Sequence, residues 1–260
     1  MPFQSNGEIR YYVFDSFGAG VTQAVFTRQG GVSPAPWVSL NVGGTVGDDP
    51  QRVRENRSRA FSVLGRDPAT IYDVWQVHGT DVVIADAPRP PETPYRQADA
   101  ILTDRTGITL FMRFADCVPI LLYDPLRKVI GMAHAGWMGT VKGAVRVAIE
   151  AMQLHYGTNP ADILAAIGPS IGPDHYEIGP DVVVRVQQAF GRDTSGALMG
   201  EDGQMHLDLW RANRLLLEQA GVTHIEIAGL CTACAVGDWY SHRAENGRTG
   251  RFGAMLALQG

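Results

Sequence analysis

Three apolar segments that follow one another closely constrain the fold of this chain more than any other feature. They cover residues 108–114, 118–123 and 129–133, and each has the length of an ordinary strand. Their nearly continuous apolar character predicts strands that are covered on both faces. The segment Asp124-Pro125-Leu126-Arg127 has the residue types of a tight turn, so the last two strands are expected to form a hairpin.

Helices are predicted on both sides of these strands. Asp48-Asp49-Pro50 combines a capping carboxylate with a proline in the first turn and predicts a helix to about residue 64. Apolar residues recur at helical spacing over residues 140–156. Pro180 opens a helix that runs to residue 190, and Asp208 caps another over residues 209–219.

Further strands are predicted at both ends of the chain. Residues 71–77 and 81–85 are interpreted as a pair of strands on either side of His78-Gly79. Four other segments have the same character: residues 10–14, 23–27, 163–167 and 225–230. Because strands and helices alternate irregularly and some strands form hairpins, the sequence predicts a mixed-sheet α/β fold. A chain of 260 residues can bury one large core or form two small domains, and we assign residues 1–260 to a single domain.

Charge and composition narrow the classes of partner. A formal net charge of -5 argues against broad nucleic-acid binding. No apolar window is long enough to span a bilayer, and residues 1–15 lack the pattern of a signal peptide. Three cysteines do not make a disulfide framework in a chain of 260 residues. We therefore expect a cytoplasmic, monomeric protein that binds neither nucleic acid nor membranes.

One cysteine and two histidines are the candidate metal ligands. His78, Cys117 and His134 each follow a predicted strand, where side chains of an α/β core can converge. A thiolate and two imidazoles suit a borderline-soft ion such as zinc, and three protein ligands leave the fourth tetrahedral position open, as in catalytic sites. The residues alone leave another explanation open, because a cysteine is often simply buried and a histidine beside glycine often lies in a turn.

Several motifs together resemble the YfiH/laccase-domain family, also called the multicopper polyphenol oxidase or peptidoglycan-editing-factor family. The resemblance covers the chain from about residue 26 to the C-terminus, with the motifs in order. They are Thr27-Arg28-Gln29-Gly30-Gly31-Val32-Ser33, Ser39-Leu40-Asn41-Val42-Gly43, Trp75-Gln76-Val77-His78-Gly79, Ala98-Asp99-Ala100, Ala115-Asp116-Cys117-Val118-Pro119, Ala133-His134-Ala135-Gly136-Trp137, Ile167-Gly168-Pro169-Ser170-Ile171-Gly172-Pro173, Ser241-His242-Arg243 and Thr249-Gly250-Arg251.

This resemblance implies a four-layer α/β/β/α architecture and a zinc or copper ion held by His78, Cys117 and His134. The implied substrates are purine nucleosides and phosphate. The implied reactions are phosphorolysis of adenosine, inosine and methylthioadenosine, and deamination of adenosine. Deamination fits metal chemistry, because an ion with mixed His/Cys ligation can activate water against the purine carbon that bears the amino group. Phosphorolysis additionally requires basic groups or helix N-termini that hold phosphate.

Four further residues are candidates for the site. Asn41, from the Ser-Leu-Asn motif, is expected to contact the substrate, and Arg28 and Arg243 are candidates for contacts to an anion or to ribose. For both arginines a solvated salt bridge remains an equal alternative. Asp116 is a candidate for orienting a ligand or moving protons, and capping a turn is its alternative.

Two departures from the family pattern bear on function. The family usually has a basic residue directly after His-Ala-Gly-Trp, where this chain has Met138. Met138 weighs against phosphorolysis, because a basic side chain at this position would neutralise phosphate. It does not affect the prediction of a metal site. Asp174-His175 stands where cysteines are common, so His175 is not assigned as a ligand. The lone Cys231-Thr232-Ala233-Cys234 is interpreted as two thiols at a strand end, because zinc would need two further ligands.

Other functions remain open at this point. Laccases with a multicopper cluster use several His-x-His pairs, and this chain has seven histidines but no such pair, which makes a polyphenol oxidase of that type implausible. A metal-free alternative makes Cys117 a nucleophile activated by His78 or His134, acting on an amide or a peptidoglycan-related bond. A non-catalytic factor that binds cell-wall precursors is the third alternative.

Overall fold

Two six-stranded sheets form the centre of the structure, a computed structural model that describes residues 2–191, 196–200 and 204–260. The strands are β1 (Phe3–Asn6), β2 (Ile9–Tyr12), β3 (Val21–Phe26), β4 (Ile71–Tyr72), β5 (Val82–Ile84), β6 (Ala100–Thr103), β7 (Thr109–Phe114), β8 (Val118–Asp124), β9 (Val129–Ala135), β10 (Leu164–Ile167), β11 (Glu177–Ile178), β12 (Leu198–Met199), β13 (Met205–Leu207), β14 (His224–Ile227) and β15 (Phe252–Leu258). The α-helices are α1 (Pro50–Ser62), α2 (Trp137–Lys142), α3 (Ala144–Tyr156), α4 (Pro180–Phe190) and α5 (Leu209–Gln219).

Both large sheets are mixed, as the sequence predicted. The first sheet has the order β1-β2-β3-β15-β7-β4 and the second has the order β14-β10-β8-β9-β6-β5. Three neighbouring pairs are parallel, namely β4 with β7, β5 with β6 and β10 with β14, and the other pairs of these sheets are antiparallel. A small third sheet has the order β11-β13-β12. The expected hairpin is confirmed, since β8 and β9 pair through a tight turn at residues 125–128.

Alternating side chains divide the interior into three layers. On β8, Leu121 belongs to the core between the two sheets, whereas its neighbour Leu122 belongs to the core under α3, α4 and α5. On β7, Phe111 faces the other way and packs on Phe61 of α1, with 5.5 Å between the ring centroids. Since successive residues of a strand point to opposite faces, each sheet is covered on both sides. The resulting order is helix, sheet, sheet, helix, which confirms the four-layer α/β/β/α architecture.

The predicted helix over residues 140–156 differs from the structure. The helical segment starts earlier, at Trp137, and it is divided in two at Gly143. Gly143 has φ 78°, in the left-handed region that glycine adopts without strain, and it ends α2 and begins α3. The apolar face expected for this segment is buried as predicted, but it belongs to α3. The break lets the short helix α2 leave β9 in a direction of its own, next to the proposed metal ligands.

The predicted pair of strands around His78-Gly79 is wrong. Only Ile71–Tyr72 of the first segment forms a strand, which pairs with β7 in the first sheet, whereas β5 pairs with β6 in the second sheet. The intervening chain crosses between the sheets, and the backbone N–H groups of Val77, His78 and Gly79 donate to the Asp99 carboxylate instead of to a strand. These backbone groups therefore bond to a side chain, whereas the apolar pattern predicted that they would bond to a neighbouring strand.

The remaining elements were predicted to within a few residues, except for β1, β6, β15 and the short strands of the third sheet, which were missed. In the part of the chain that the structure describes, none of the helices is long and apolar enough to cross a bilayer.

Candidate metal centre

The three candidate ligands meet at one end of the second sheet. One donor atom from each of His78, Cys117 and His134 lies within 4.8 Å of the other two. The distance from Cys117 Sγ to His78 Nε2 is 3.8 Å, and the ring centroids of the two histidines are 4.9 Å apart. Three residues that are far apart in sequence thus form a cluster of one sulfur and two ring nitrogens.

Each ligand is positioned by a different local feature. His134 lies on β9 opposite Pro119 of β8, and Cys117 closes the turn that leads into β8. His78 has φ 59° in the crossover between the sheets. Gly136 makes room for the sulfur, because a Cβ at this position would lie 2.7 Å from Cys117 Sγ. A side chain at residue 136 would therefore displace a proposed ligand.

Asp99 organises two of the ligands and is the functional residue that sequence reasoning missed. Its side chain is fully buried, and its Oδ1 lies 2.8 Å from His134 Nδ1. The same carboxylate accepts backbone N–H bonds from the His78 loop, at 2.6 Å from Gly79 and 3.0 Å from His78. Since an ionised carboxylate only accepts, His134 donates from Nδ1 and presents Nε2 to an ion. The motif Ala98-Asp99-Ala100 was recognised in the sequence, but nothing in the sequence indicated that Asp99 contacts His134.

The electrostatics of the cluster favour the thiolate form of Cys117. Burial raises the pKa of Cys117, but the charge and hydrogen bond of His134, together with His78, outweigh burial and lower it below its usual value. Burial lowers the pKa of His134, but the Cys117 thiolate and the Asp99 carboxylate outweigh burial and raise it. The cluster therefore stabilises positive charge next to Cys117 and favours the thiolate, which is the form of cysteine that binds metals. A borderline-soft cation fits this donor set, and the three residues leave a position for a reactant.

Asp116 joins the cysteine loop to two distant segments. Its Oδ1 accepts a 2.6 Å hydrogen bond from Thr232 Oγ1, and its Oδ2 accepts a 2.7 Å bond from the backbone N–H of Arg243. Its φ of 82° lies in the left-handed region. Both oxygens thus hold neighbouring chain segments in this structure, and a role in moving protons stays a prediction.

The two candidate arginines differ in their surroundings. Arg243 is exposed, donates from Nη1 to Glu177 O at 3.0 Å, and lies over the ring of Tyr176. Arg28 donates to the Val38 and Val236 carbonyls and forms an ion pair with Glu245. Arg28 therefore cross-links loops, whereas Arg243 is joined to the cysteine loop through its backbone. Substrate contacts of either residue stay predictions.

Asn41 is fully buried, and its amide is engaged by the protein on every side. Nδ2 donates to Asp48 Oδ2 at 2.8 Å and to Gly43 O at 3.2 Å, and Oδ1 accepts from the backbone N–H groups of Gly43 and Arg251. Burial lowers the pKa of Arg251, and the charges of Cys117 and Asp116 act in the opposite direction. Asn41 is thus placed to position Arg251, a second residue that sequence reasoning did not single out.

We expect Asn41→Ala to lower the free energy of unfolding by about 1–3 kcal/mol, because it leaves buried polar groups without partners. Urea unfolding measures this change. Asn213→Ala is the matched control, since Asn213 is equally buried but, among the residues that the structure describes, its amide nitrogen makes two hydrogen bonds and its Oδ1 none. An Asn41→Ala chain of unchanged stability with a raised substrate KM would instead support direct contact with the substrate.

Among the residues that the structure describes, the candidate donor atoms do not form a multicopper cluster. In the described ranges, two groups of three or more possible ligands occur: the centre above, and Asp174, His175, Cys231 and Cys234. Neither group contains more than two histidines. The trinuclear copper arrangement of laccases needs more imidazoles than either group supplies.

The fold and this centre define a class: four-layer α/β/β/α proteins with a His/Cys/His site at one end of the second sheet. Residues 22–259 match the family described as multi-copper polyphenol oxidoreductase laccase, and the chain belongs to this family.

Named relatives and solved structures agree with this assignment. A purine nucleoside phosphorylase from Deinococcus radiodurans is 41% identical over 238 residues, which cover 92% of this chain and 89% of the relative. Purine nucleoside phosphorylase YlmD from Geobacillus stearothermophilus is 37% identical over 93% of this chain and 90% of the relative. The crystal structure of YlmD from the same organism matches with a TM-score of 0.93 and 33% identity, covering 100% of this chain and 99% of the other. That of YfiH from Bacillus licheniformis matches with a TM-score of 0.91 and 33% identity, covering 99% of both chains.

Proposed function

We propose that this chain is a metal-dependent purine nucleoside phosphorylase that also deaminates adenosine. One observation carries the proposal: His78, Cys117 and His134 converge, with Asp99 fixing the ring of His134. Relatives that align over nine-tenths of the chain and bear the name purine nucleoside phosphorylase support the substrate class. The proposed substrates are adenosine, inosine and methylthioadenosine, together with phosphate.

The three ligands would hold a zinc or copper ion, and the thiolate with two imidazoles suits either. When bound, such an ion supplies a Lewis acid that polarises an oxygen and makes water more acidic. The chain's own contribution is to fix the ligand geometry. Asp99 holds His134 Nδ1–H, and the Asp116 carboxylate holds the backbone of Arg243 beside the cysteine loop. A positioned site of this kind lowers the reorganisation needed during the reaction.

Phosphorolysis also requires cations that place phosphate against the anomeric carbon of ribose. Met138 occupies the position where the family usually has a basic residue, but Lys142 lies four residues later in α2, about one helical turn away. Lys142 Nζ donates to the backbone carbonyl of His78 at 3.3 Å and is therefore beside the metal centre. We propose that Lys142 and Arg251 neutralise phosphate in place of the residue missing at 138.

Product analysis tests the reaction. Adenosine, inosine and methylthioadenosine are each incubated with the zinc-loaded protein, with and without phosphate. Release of the free base together with ribose 1-phosphate, only when phosphate is present, is the expected result for phosphorolysis. Conversion of adenosine to inosine without phosphate is expected for deamination. Turnover of none of the three nucleosides would contradict the proposal, and binding of muropeptides in the same preparation would support the cell-wall alternative.

We expect Lys142→Gln to raise the KM for phosphate about tenfold, because a charge-assisted hydrogen bond contributes about 1.5–3 kcal/mol. The measurement is initial rate against phosphate concentration at saturating inosine. Lys128→Gln is the control, since Lys128 is the only other lysine of the chain and is exposed in the β8–β9 turn. Equal phosphate KM values in the two variants would show that Lys142 does not contribute to phosphate binding.

A further inference from the structure

A second cluster of ligand-type side chains lies outside the site described above. Asp174, His175, Cys231 and Cys234 each place one donor atom within 4.8 Å of the others. Cys231 is buried, whereas the other three side chains are exposed at the protein surface. The four residues come from two loops, one before β11 and one after β14. The proposed nucleoside reaction uses none of them.

The distances within this cluster are close to the edges of a zinc tetrahedron. Zinc bonds of about 2.3 Å to sulfur and about 2.0–2.1 Å to nitrogen place two such ligands about 3.5 Å apart. His175 Nδ1 lies 3.5 Å from Cys234 Sγ and 3.9 Å from Cys231 Sγ. Asp174 Oδ2 lies 3.0 Å from His175 Nδ1 and 3.1 Å from Cys234 Sγ. These four of the six separations are close to tetrahedral edges, and the other two are below 4.8 Å.

We propose that Asp174, His175, Cys231 and Cys234 bind a zinc ion as a structural site, separate from the His78/Cys117/His134 centre. Four protein ligands fill the tetrahedron, and a filled tetrahedron is typical of structural zinc rather than of catalytic zinc. The thiol protons of both cysteines leave to solvent when the ion binds. His175, which the sequence did not assign as a ligand, supplies the nitrogen that the lone CxxC lacked.

The backbone around Cys231 is already arranged for a ligating sulfur. The N–H of Gly172 donates to Cys231 Sγ at 3.2 Å, which fixes the direction of the sulfur. A Cβ at residue 172 would lie 2.7 Å from Asp174 Oδ1 and 3.1 Å from Cys231 Cβ. Glycine at this position therefore lets the two ligand loops approach each other closely.

The proposed ion would hold together the two ligand loops, and both loops contact segments of the first metal centre. Thr232, between the two cysteines, donates to Asp116, which is adjacent to the ligand Cys117. His175 is followed by Tyr176, whose ring lies under the guanidinium of Arg243. Zinc at the second site thus stabilises the segments that hold the loop of the first site. This role is structural, so it does not depend on which reaction the first site performs.

Metal stoichiometry of single and combined variants tests the proposal. The proteins are prepared under reductant, loaded with zinc, desalted and measured by elemental analysis. The wild type is expected to retain two zinc ions per chain, Cys117→Ala one, Cys234→Ser one, and the double variant none. His224→Ala removes an exposed histidine that belongs to neither cluster and is expected to keep two. Cobalt substitution supplies a second readout, because the site in Cys117→Ala should show charge-transfer absorption from two thiolates.

Two results would overturn the proposal. The first is a Cys117→Ala chain that binds no zinc, which includes the case where Cys231 and Cys234 pair with each other instead of binding metal. The second is a Cys234→Ser chain that keeps the wild-type stoichiometry. A folded wild type with two zinc ions and no nucleoside turnover would leave the second site intact and would count only against the proposed reaction.

Discussion

The Cys117→Ala variant is expected to lose zinc binding at the His78/Cys117/His134 centre and, with it, the proposed phosphorolysis and deamination, while it remains folded. Structural zinc sites bind with about 10–16 kcal/mol, so each ligand accounts for about 3 kcal/mol or more, a factor of over about 100 in affinity. The remaining two imidazoles cannot replace the thiolate, whose form the surrounding charges favour. Alanine fits the space, because it is smaller than cysteine.

Three measurements check this expectation together. Zinc analysis should show one equivalent fewer than the wild type, the rate of base release should fall to background, and the thermal midpoints of the two proteins, both measured without zinc, should be close. Cys234→Ser is the matched control, since it removes a thiol from the other cluster and keeps all three ligands of the first centre. Unchanged turnover in Cys117→Ala would exclude the proposed mechanism.

The same variant distinguishes the metal enzyme from the thiol enzyme. A nucleophilic Cys117 would require no metal, would be alkylated rapidly in the wild type, and would act on an amide or peptidoglycan-related bond. Turnover that survives removal of zinc by a chelator but is abolished by alkylation of Cys117 would favour that alternative. Turnover that is lost on chelation and restored by zinc is the result we expect.

Elements with a strong local signal were predicted from the sequence. Strands β7, β8 and β9 follow from apolar runs, and α4 and α5 follow from Pro180 and Asp208 at their starts. Strand β15 was missed, although it is central in the first sheet. It contains Gly253, where a Cβ would lie 2.5 Å from the ring of Phe111, so the small residue reflects a close approach across strands that no single segment reveals.

The residues of the candidate site also differ in whether the sequence could predict them. His78, Cys117 and His134 could be proposed because their residue types fit a metal and their positions follow predicted strands. The partners that orient them could not, because those contacts join residues far apart in sequence. Asp99 is 35 residues from His134, and Thr232 is 116 residues from Asp116. Contacts between residues this far apart in sequence can be predicted only when the order of the strands is known.

We expect Asp99→Asn to weaken zinc binding at the first centre about 10–100-fold and to lower kcat/KM by a similar factor. An amide has one oxygen, so it cannot replace the carboxylate that serves both His134 Nδ1 and three backbone N–H groups. If the amide oxygen takes the Oδ2 position, the NH₂ group faces His134 Nδ1. That arrangement favours the other tautomer of His134, with a proton on Nε2, the nitrogen that the ion requires.

The matched control for Asp99→Asn is Asp124→Asn. Asp124 is equally buried, and its Oδ1 accepts from the backbone N–H groups of Leu126 and Arg127, but it lies at the opposite end of β8 from Cys117. Asp99→Asn should also lose stability through backbone donors left unpaired, whereas Asp124→Asn can keep both of its backbone bonds through the remaining amide oxygen. Only Asp99→Asn should lose zinc affinity by competition with a chelating dye, and only it should lose the His134 Nδ1–H signal in ¹⁵N-edited spectra. Equal zinc affinities in the two variants would mean that Asp99 only supports the loop, and that the ring of His134 is held in its ligating tautomer by the ion itself.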